Sequence, residues 1–118
     1  MAQFVFMLPH APDRYTDISE SEFVDLMKDY LGWVEDMTAQ GKFKGGEKLL
    51  DEAGKIVTST DGVTEVHEGP FSEVAEILGG FMILEAADYD EAIEIARGHP
   101  HLKHNQKIII RQTDPDAD

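Results

Sequence analysis

The sequence contains no cysteine among its 118 residues. This absence excludes disulfide bonds, thiolate nucleophiles and zinc sites built on cysteine ligands, and it leads us to expect an intracellular, cytoplasmic protein. The glycine pairs at 45–46 and 79–80 lack the lysine and the following helix start of a phosphate-binding loop. We therefore predict no cofactor.

Basic residues are scarce as well. The chain carries 10 lysine and arginine residues against 24 aspartate and glutamate residues, which gives a formal net charge of -14. Such a chain repels phosphate backbones and anionic lipids, so we expect no nucleic acid and no membrane as partners. Its apolar runs are also far shorter than the ~20 residues that span a bilayer.

The length of the chain fits one domain with a single hydrophobic core. We predict that this domain comprises residues 1–112. The remaining residues, 113–118, are acidic and interrupted by proline, and we expect a flexible tail.

The hydrophobic pattern predicts an alternation of strands and helices. A first helix begins at Ser19, where Glu22 completes a capping box, and ends at Gly41; a second begins at Asp88 and ends at Gly98. Apolar and β-branched runs predict strands at 2–8, 47–50, 55–59, 63–67, 81–86 and 107–111. The third and fourth strands flank Asp61 and form a hairpin.

This order predicts an α+β fold with a ferredoxin-like βαβ(hairpin)βαβ topology. Two helices cover one face of the sheet and leave the other face bare. An exposed apolar face of that size is typical of an interface, so we predict a homodimer that packs sheet against sheet. The strand residues assigned to the bare face are Val5, Leu8, Ile83, Ile108 and Ile110.

Several motifs resemble a known family. Residues 68–100 contain GPF, LGGF and a D-x-x-E-A helix start, while W-x-x-x-M-x-x-x-G lies at 33–41 and GGE-x-L at 45–49. This pattern resembles the DGPF-domain branch of the YCII-related superfamily. The resemblance implies a dimeric α+β barrel built from ferredoxin-like protomers. The family's biochemical role is largely undefined, and some members look like companions of extracytoplasmic-function sigma factors.

The sequence departs from the family at two places. Glu68 stands where the DGPF motif has its aspartate, and His99 stands before Pro100 where other branches of the superfamily carry an aspartate. Those branches pair that aspartate with a histidine on the first helix, which has no histidine here. The activity suspected for that pair is therefore not carried over.

Three residues are candidates for acid–base catalysis. His67 and Glu68 are adjacent at the end of a predicted strand, and His10 follows the first strand in a predicted loop. An imidazole beside a carboxylate is suited to proton transfer near neutral pH. The alternatives are structural: Glu68 caps the GPF turn, His67 faces solvent, and His10 is an exposed loop residue.

Four further residues are candidates for ligand binding. Trp33 lies at the margin of the first helix's apolar stripe, and Phe71 belongs to the GPF motif. Glu85 lies within an apolar strand, where a charged group requires a partner, and Arg111 on the last strand is the predicted counter-charge. Core packing of the aromatic residues and an interface ion pair of the charged ones are the alternatives.

His99, His101 and His104 form the only local cluster with the character of metal ligands. Because a loop supports ligands poorly, the favoured interpretation is a set of surface or dimer-edge histidines, with no metal. The carboxyl end of the second helix is expected to favour the protonated form of His99.

Two interpretations of function remain. The first is a homodimer whose sheets enclose a cleft for a small organic ligand, lined by His10, Trp33, Glu68 and Arg111, with proton transfer by histidine and carboxylate as the available chemistry. The second is a regulatory or protein-interaction module without catalysis, linked to transcription through a sigma factor. Whether the protein is an enzyme stays open at this point.

Overall fold

The computed structural model describes residues 1–11, 18–50, 52, 54–68 and 76–117, with the backbone alone at 104 and 105. The elements are β1 Ala2–His10, α1 Glu20–Ala39, β2 Phe43–Lys48, β3 Lys55–Thr60, β4 Val63–Glu68, β5 Ile77–Ala86, α2 Tyr89–Arg97, a 3₁₀ helix Pro100–Asn105, and β6 Ile109–Gln112.

Four of the strands form an antiparallel sheet in the order β2-β5-β1-β6. Strand β5 lies between β1 and β2, and strand β1 lies between β5 and β6, so each helix connects two strands that are separated by a third. This arrangement is the split βαβ pair of a ferredoxin-like domain, and the predicted α+β fold is confirmed.

The two faces of the sheet have different surroundings. Phe4, Phe6 and Leu84 are fully shielded from solvent and pack with Trp33 and Ile95 of the helices in one core. On the opposite, open face, strand alternation places Gln3, Val5, Met7, Phe81, Ile83, Glu85, Ile109 and Arg111.

The predicted composition of the bare face is partly wrong. Val5 and Ile83 lie on the open face, but Leu8 is buried in the helix-side core, and Ile108 and Ile110 pack against that core. The register explains the error: Phe6 pairs with Ile110, and Phe6 faces the helices. A one-residue difference in register moves a side chain to the other face of a sheet.

The first helix begins as predicted. The hydroxyl of Ser19 accepts a hydrogen bond from the Glu22 N–H at 3.1 Å, and the Ser19 N–H donates to the Glu22 carboxylate at 3.3 Å. Gly41, with φ of 73°, follows the last turn in a left-handed conformation. The capping box and the glycine therefore set both ends of α1.

Several strand boundaries differ from the prediction, and the largest differences besides β1 and β2 include the start of β5 at Ile77 rather than at residue 81. Strand β1 does not end before Pro9 but continues to His10, because its pairing with β6 stops at Met7 and a register shift between Met7 and Pro9 accommodates the proline on the β5 side. Strand β2 begins at Phe43 rather than at residue 47, so the pair Gly45 and Gly46 lies within the strand.

Strands β3 and β4 form a separate two-stranded sheet. Their turn residues Asp61 and Gly62 both have positive φ, 51° and 82°, as the predicted tight hairpin turn requires. The radius of gyration is 16.4 Å, compared with roughly 13 to 14 Å for a compact domain of this length. The molecule has a flat, extended shape, with principal extents of 47 × 45 × 19 Å.

Two further features concern the helices and the carboxyl-terminal segment. Neither α1 nor α2 has the combination of length and apolar character that a membrane crossing needs. The Thr113 N–H donates to the Gln3 carbonyl at 2.9 Å, which continues the edge of the sheet one residue beyond β6. The domain limit at residue 112 and the flexibility of the tail stay predictions.

Candidate functional site

A cleft of about 400 Å³ lies between α1 and the part of the sheet formed by β2 and β5. The lining side chains on the helix and strands are mainly apolar, and they come from four different elements. They include Leu8, Met27, Leu31, Val34, Phe43 and Met82. The polar residues at the cleft are Tyr30 and His101 on one side and Glu47 and Lys48 of β2 on the other.

Tyr30 and His101 form a hydrogen-bonded chain that ends on the backbone of β1. The Tyr30 hydroxyl lies 3.0 Å from Nδ1 of His101, and Nε2 of His101 lies 3.0 Å from the carbonyl oxygen of Pro9. A carbonyl oxygen can only accept, so Nε2 of His101 carries a hydrogen. The extension of β1 past the end of its pairing with β6 places the Pro9 carbonyl where this side chain reaches it.

His99 holds the 3₁₀ helix in place beneath this pair. It is the N-cap residue, and its Nδ1 accepts from the backbone N–H of His101 at 2.9 Å. Its Nε2 therefore carries the hydrogen and points at the sulfur of Met82, 3.3 Å away. The ring packs against Trp33 with centroids 4.3 Å apart and against Tyr30 at 5.3 Å.

The environment of His99 disfavours its charged form. Burial, followed by the electrostatic interaction with His101, lowers the pKa of His99 from 6.5 to about 3. The expectation that the end of α2 favours protonation is therefore wrong, because removing the imidazole from water outweighs the attraction of a helix terminus. His99 is neutral over the physiological pH range.

The prediction of surface histidines is also wrong for His99 and His101. Each has 2% of its surface exposed, and both belong to the cap and first turn of a 3₁₀ helix rather than to an open loop. The side chain of His104 lies outside the described part of the chain. Both rings use their nitrogen atoms in the contacts above, and the described residues contain no cluster of three or more histidine and acidic side chains arranged to hold a metal ion.

His10 is not the loop residue that the sequence predicts. It is the last residue of β1, its ring is fully buried, and its Nδ1–H donates to the Ala11 carbonyl at 2.5 Å. The ring lies against the backbone of Gly79, where an added Cβ would come within 2.2 Å of Cδ2 of His10. Among the described residues, His10 is not one that lines the cleft.

The hairpin keeps His67 and Glu68 apart from each other and from the cleft. Glu68 forms an exposed ion pair with Lys55 across the hairpin. His67 points to the other face of the hairpin, where it lies 3.3 Å from the Thr58 hydroxyl and 3.5 Å from the Glu65 carboxylate. The predicted capping role of Glu68 concerns the GPF turn, which lies outside the described residues together with Phe71.

The remaining ligand-binding candidates lie at two different places. Trp33 is buried in the helix-side core. Glu85 and Arg111 are on the open face, but the predicted pairing of their charges is not found within the chain: Glu85 pairs with Lys44 at 3.4 Å, and strand β1 separates β5 from β6.

Sequence reasoning missed Tyr30. It recurs at helical spacing with Leu26 and Val34 in the apolar stripe of α1. A hydroxyl within such a stripe, which must find a hydrogen-bonding partner when buried, was the available signal.

These features define a small ferredoxin-like α+β protein. It has a four-stranded antiparallel sheet with both helices on one face, and a cleft between that sheet and the first helix. The chain belongs to the YCII-related domain family, which matches residues 2–111. No curated protein matches the chain.

Among solved structures, the chain is similar to 5-chloro-2-hydroxyhydroquinone dehydrochlorinase (TftG) from Burkholderia phenoliruptrix AC1100, in complex with 2,5-dihydroxybenzoquinone. The TM-score is 0.56 at 20% sequence identity, and the similarity covers 97% of this chain and 94% of the other. This likeness supports the fold assignment.

Proposed function

We propose that this protein is a homodimer that binds a small organic ligand in the cleft between α1 and the β2–β5 part of the sheet. The observation that carries the proposal is the pairing of Tyr30 with His101 in a cleft whose other walls are mainly apolar. Small-molecule sites are commonly apolar clefts of roughly 300 to 1,000 Å³ with a few placed polar groups. The volume of about 400 Å³ falls within that range.

The same pair provides the groups for acid–base chemistry. As a ligand gives a proton to the Tyr30 oxygen, the tyrosine proton passes to Nδ1 of His101. The imidazolium that forms keeps its Nε2–H bonded to the Pro9 carbonyl, which stabilises the new charge. In this route the partners of His101 are a backbone carbonyl and a tyrosine, rather than the carboxylate that the sequence led us to expect beside a histidine.

The structural neighbour supports a ligand of this size. TftG is described in complex with 2,5-dihydroxybenzoquinone, a small planar ring compound. A molecule of that size fits within the volume of the cleft. The comparison supports the size class of the ligand.

The open face of the sheet supports the homodimer. Val5, Met7, Phe81 and Ile83, each of them partly exposed, form its apolar centre. Exposed apolar surface on an antiparallel sheet is commonly buried against another element or another copy. In a sheet-to-sheet dimer, Arg111 lies at the margin of the interface.

The ligand proposal is tested by a thermal-shift and NMR screen of small aromatic compounds against three proteins. They are the wild type, Val34→Trp, which fills the cleft, and Val24→Trp, which adds the same bulk on an exposed part of α1. A ligand at a hundredfold excess over its dissociation constant stabilises a protein by roughly 2.7 kcal/mol.

We expect stabilisation of the wild type and of Val24→Trp, and its loss in Val34→Trp. Equal shifts in all three proteins would place binding elsewhere. A screen without any ligand would refute the proposal and leave the regulatory or protein-interaction module as the better explanation of the fold.

A further inference from the structure

We infer that the two copies of the homodimer pack with opposite edges of the open face against each other, so that Arg111 of each copy forms an ion pair with Glu47 of the partner subunit. The inference rests on the homodimer of the proposed function and assigns to it an orientation and a pair of charged contacts. It follows from the strand register and from the symmetry of a dimer.

The two charges lie at opposite edges of the open face. Strand β6 is one edge of the sheet, and the register pairs Arg111 with Val5, which faces the open side. Strand β2 is the other edge, and the register pairs Glu47 with Phe81 on the same side. Because paired residues on neighbouring strands share a face, Arg111 and Glu47 flank the apolar centre from its two sides.

Neither charge is balanced within the part of the chain that the structure describes. Both residues are exposed, and none of the ion pairs between described residues includes either of them. The other carboxylate of this face, Glu85, already has Lys44 as its partner at 3.4 Å. One arginine and one glutamate are therefore available on this surface for a contact with another molecule.

The symmetry of a dimer determines which edges meet. A two-fold axis that runs along the strands, between β5 and β1, places β6 of each copy over β2 of the partner subunit. A two-fold axis that runs across the strands instead places β6 over β6 and β2 over β2, so that Arg111 faces its own counterpart and Glu47 faces its own. Like charges that face each other cost binding free energy, so the charges select the axis along the strands.

Strand β2 has room for an incoming arginine. Gly45 lies in the same row of the sheet as Ile83, Val5 and Arg111. The axis along the strands places Arg111 over Gly45 of the partner subunit, where even an added Cβ would meet no atom within 4 Å. Glu47 lies two residues further along that strand, about 7 Å away, which a guanidinium group can reach. An apolar centre with a charged rim is the usual anatomy of a protein interface.

The test reverses the two charges, singly and together. The dissociation constant of the dimer is measured by sedimentation velocity over a dilution series at low ionic strength for the wild type, Arg111→Glu, Glu47→Arg and the double variant. Arg97→Glu and Glu94→Arg are the matched controls. They change the net charge by the same amounts at an exposed ion pair of α2, away from the open face.

We expect each single reversal at the open face to raise the dissociation constant of the dimer by roughly tenfold, because the dimer contains the reversed contact twice and like charges then meet. The double variant should return to within about threefold of the wild type. Both control variants should match the wild type. The effect of the single reversals should shrink in about 0.5 M salt, which screens exposed charges.

A mixture of the two single variants distinguishes a contact between subunits from a contact within one chain. In the dimer of Arg111→Glu two carboxylates meet, and in the dimer of Glu47→Arg two guanidinium groups meet. In a mixed dimer both contacts join opposite charges. We therefore expect equimolar mixing to give a heterodimer with an affinity close to that of the wild type, which native mass spectrometry identifies by its mass.

The outcomes separate this inference from the homodimer itself. Single reversals that act no more strongly than the controls, or a mixture that forms no heterodimer, overturn the ion pair and leave a dimeric wild type standing. A wild type that stays monomeric at every concentration overturns both the inference and the proposed homodimer. The ligand screen of the cleft is independent of either result.

Discussion

His99 shows how a single buried side chain couples the site to pH. It caps the 3₁₀ helix through Nδ1, packs against Trp33 and donates to the sulfur of Met82. All three contacts use the neutral ring. Protonation of His99 would remove the acceptor that caps the 3₁₀ helix and would place a charge among apolar neighbours. The 3₁₀ helix that carries His101 therefore depends on His99 staying uncharged.

The wild type should lose stability as the pH falls from about 6.5 toward 3. The folded-state pKa of His99 is about 3, below its ordinary value of 6.5, so between these values the unfolded chain binds a proton that the folded chain does not. The contribution of the uncharged His99 to the free energy of unfolding is fully present above about pH 6.5, and it amounts to roughly a few kcal/mol.

The measurement is urea unfolding at a series of pH values for the wild type and His99→Asn. Asparagine keeps an acceptor at the N-cap and does not titrate. The difference in unfolding free energy between the two proteins should narrow from pH 6.5 to 3. A difference that is constant with pH would contradict the assigned role of the His99 charge.

At this scale the sequence predicted residue types better than residue environments. The sequence shows the cluster of His99 and His101 but does not predict that these side chains are buried. Their burial depends on Trp33 and Tyr30 of α1, which are more than sixty residues away in the chain. The spacing of histidines along a chain does not indicate such long-range contacts. The hydroxyl of Tyr30 could be singled out within its apolar stripe, but its partner His101 could not, because the two are 71 residues apart.

Among the elements, α1 follows most directly from local sequence. Its first turn contains two hydrogen bonds between Ser19 and Glu22, and these two residues are only three positions apart in the sequence. Strand β2 is the opposite case. Its pair of glycines resembles a turn, yet Gly46 must be glycine because a Cβ there would come within 2.4 Å of the Phe81 carbonyl on β5.

Replacing the N-cap should therefore weaken α1 measurably. We expect Ser19→Ala to lower the free energy of unfolding by about 1 kcal/mol, because it removes the acceptor for the Glu22 N–H. Ser19→Asp keeps an acceptor and should remain close to the wild type. Urea denaturation at neutral pH checks both variants, and equal losses in the two would show that the hydroxyl bond is not what stabilises the helix start.

For the whole molecule, the alternation of strands and helices was enough to predict the topology but not the position of the cleft. The sequence pointed to a ligand site between sheets, whereas the cleft described here lies between α1 and the helix-side face. Faces are set by pairing register, and the register shift near Pro9 is not visible in the hydrophobic pattern.

The proposed homodimer makes the open face the decisive surface. We expect Ile83→Glu to shift the protein from dimer to monomer, because it places a charge in the apolar centre of that face. Ile93→Glu is the control, since Ile93 is 39% exposed on α2, away from the open face. Sedimentation velocity should give a dimer for the wild type and Ile93→Glu. A dimer that persists in Ile83→Glu would move the interface to another surface.

The hairpin of β3 and β4 has a consequence for how this molecule can change. Its strands bond to each other and carry their own turn, so the four-stranded ladder takes none of its hydrogen bonds from them. We expect a change in the length of this hairpin to leave the four-stranded sheet intact. The cleft and Tyr30 should therefore tolerate variation in this hairpin.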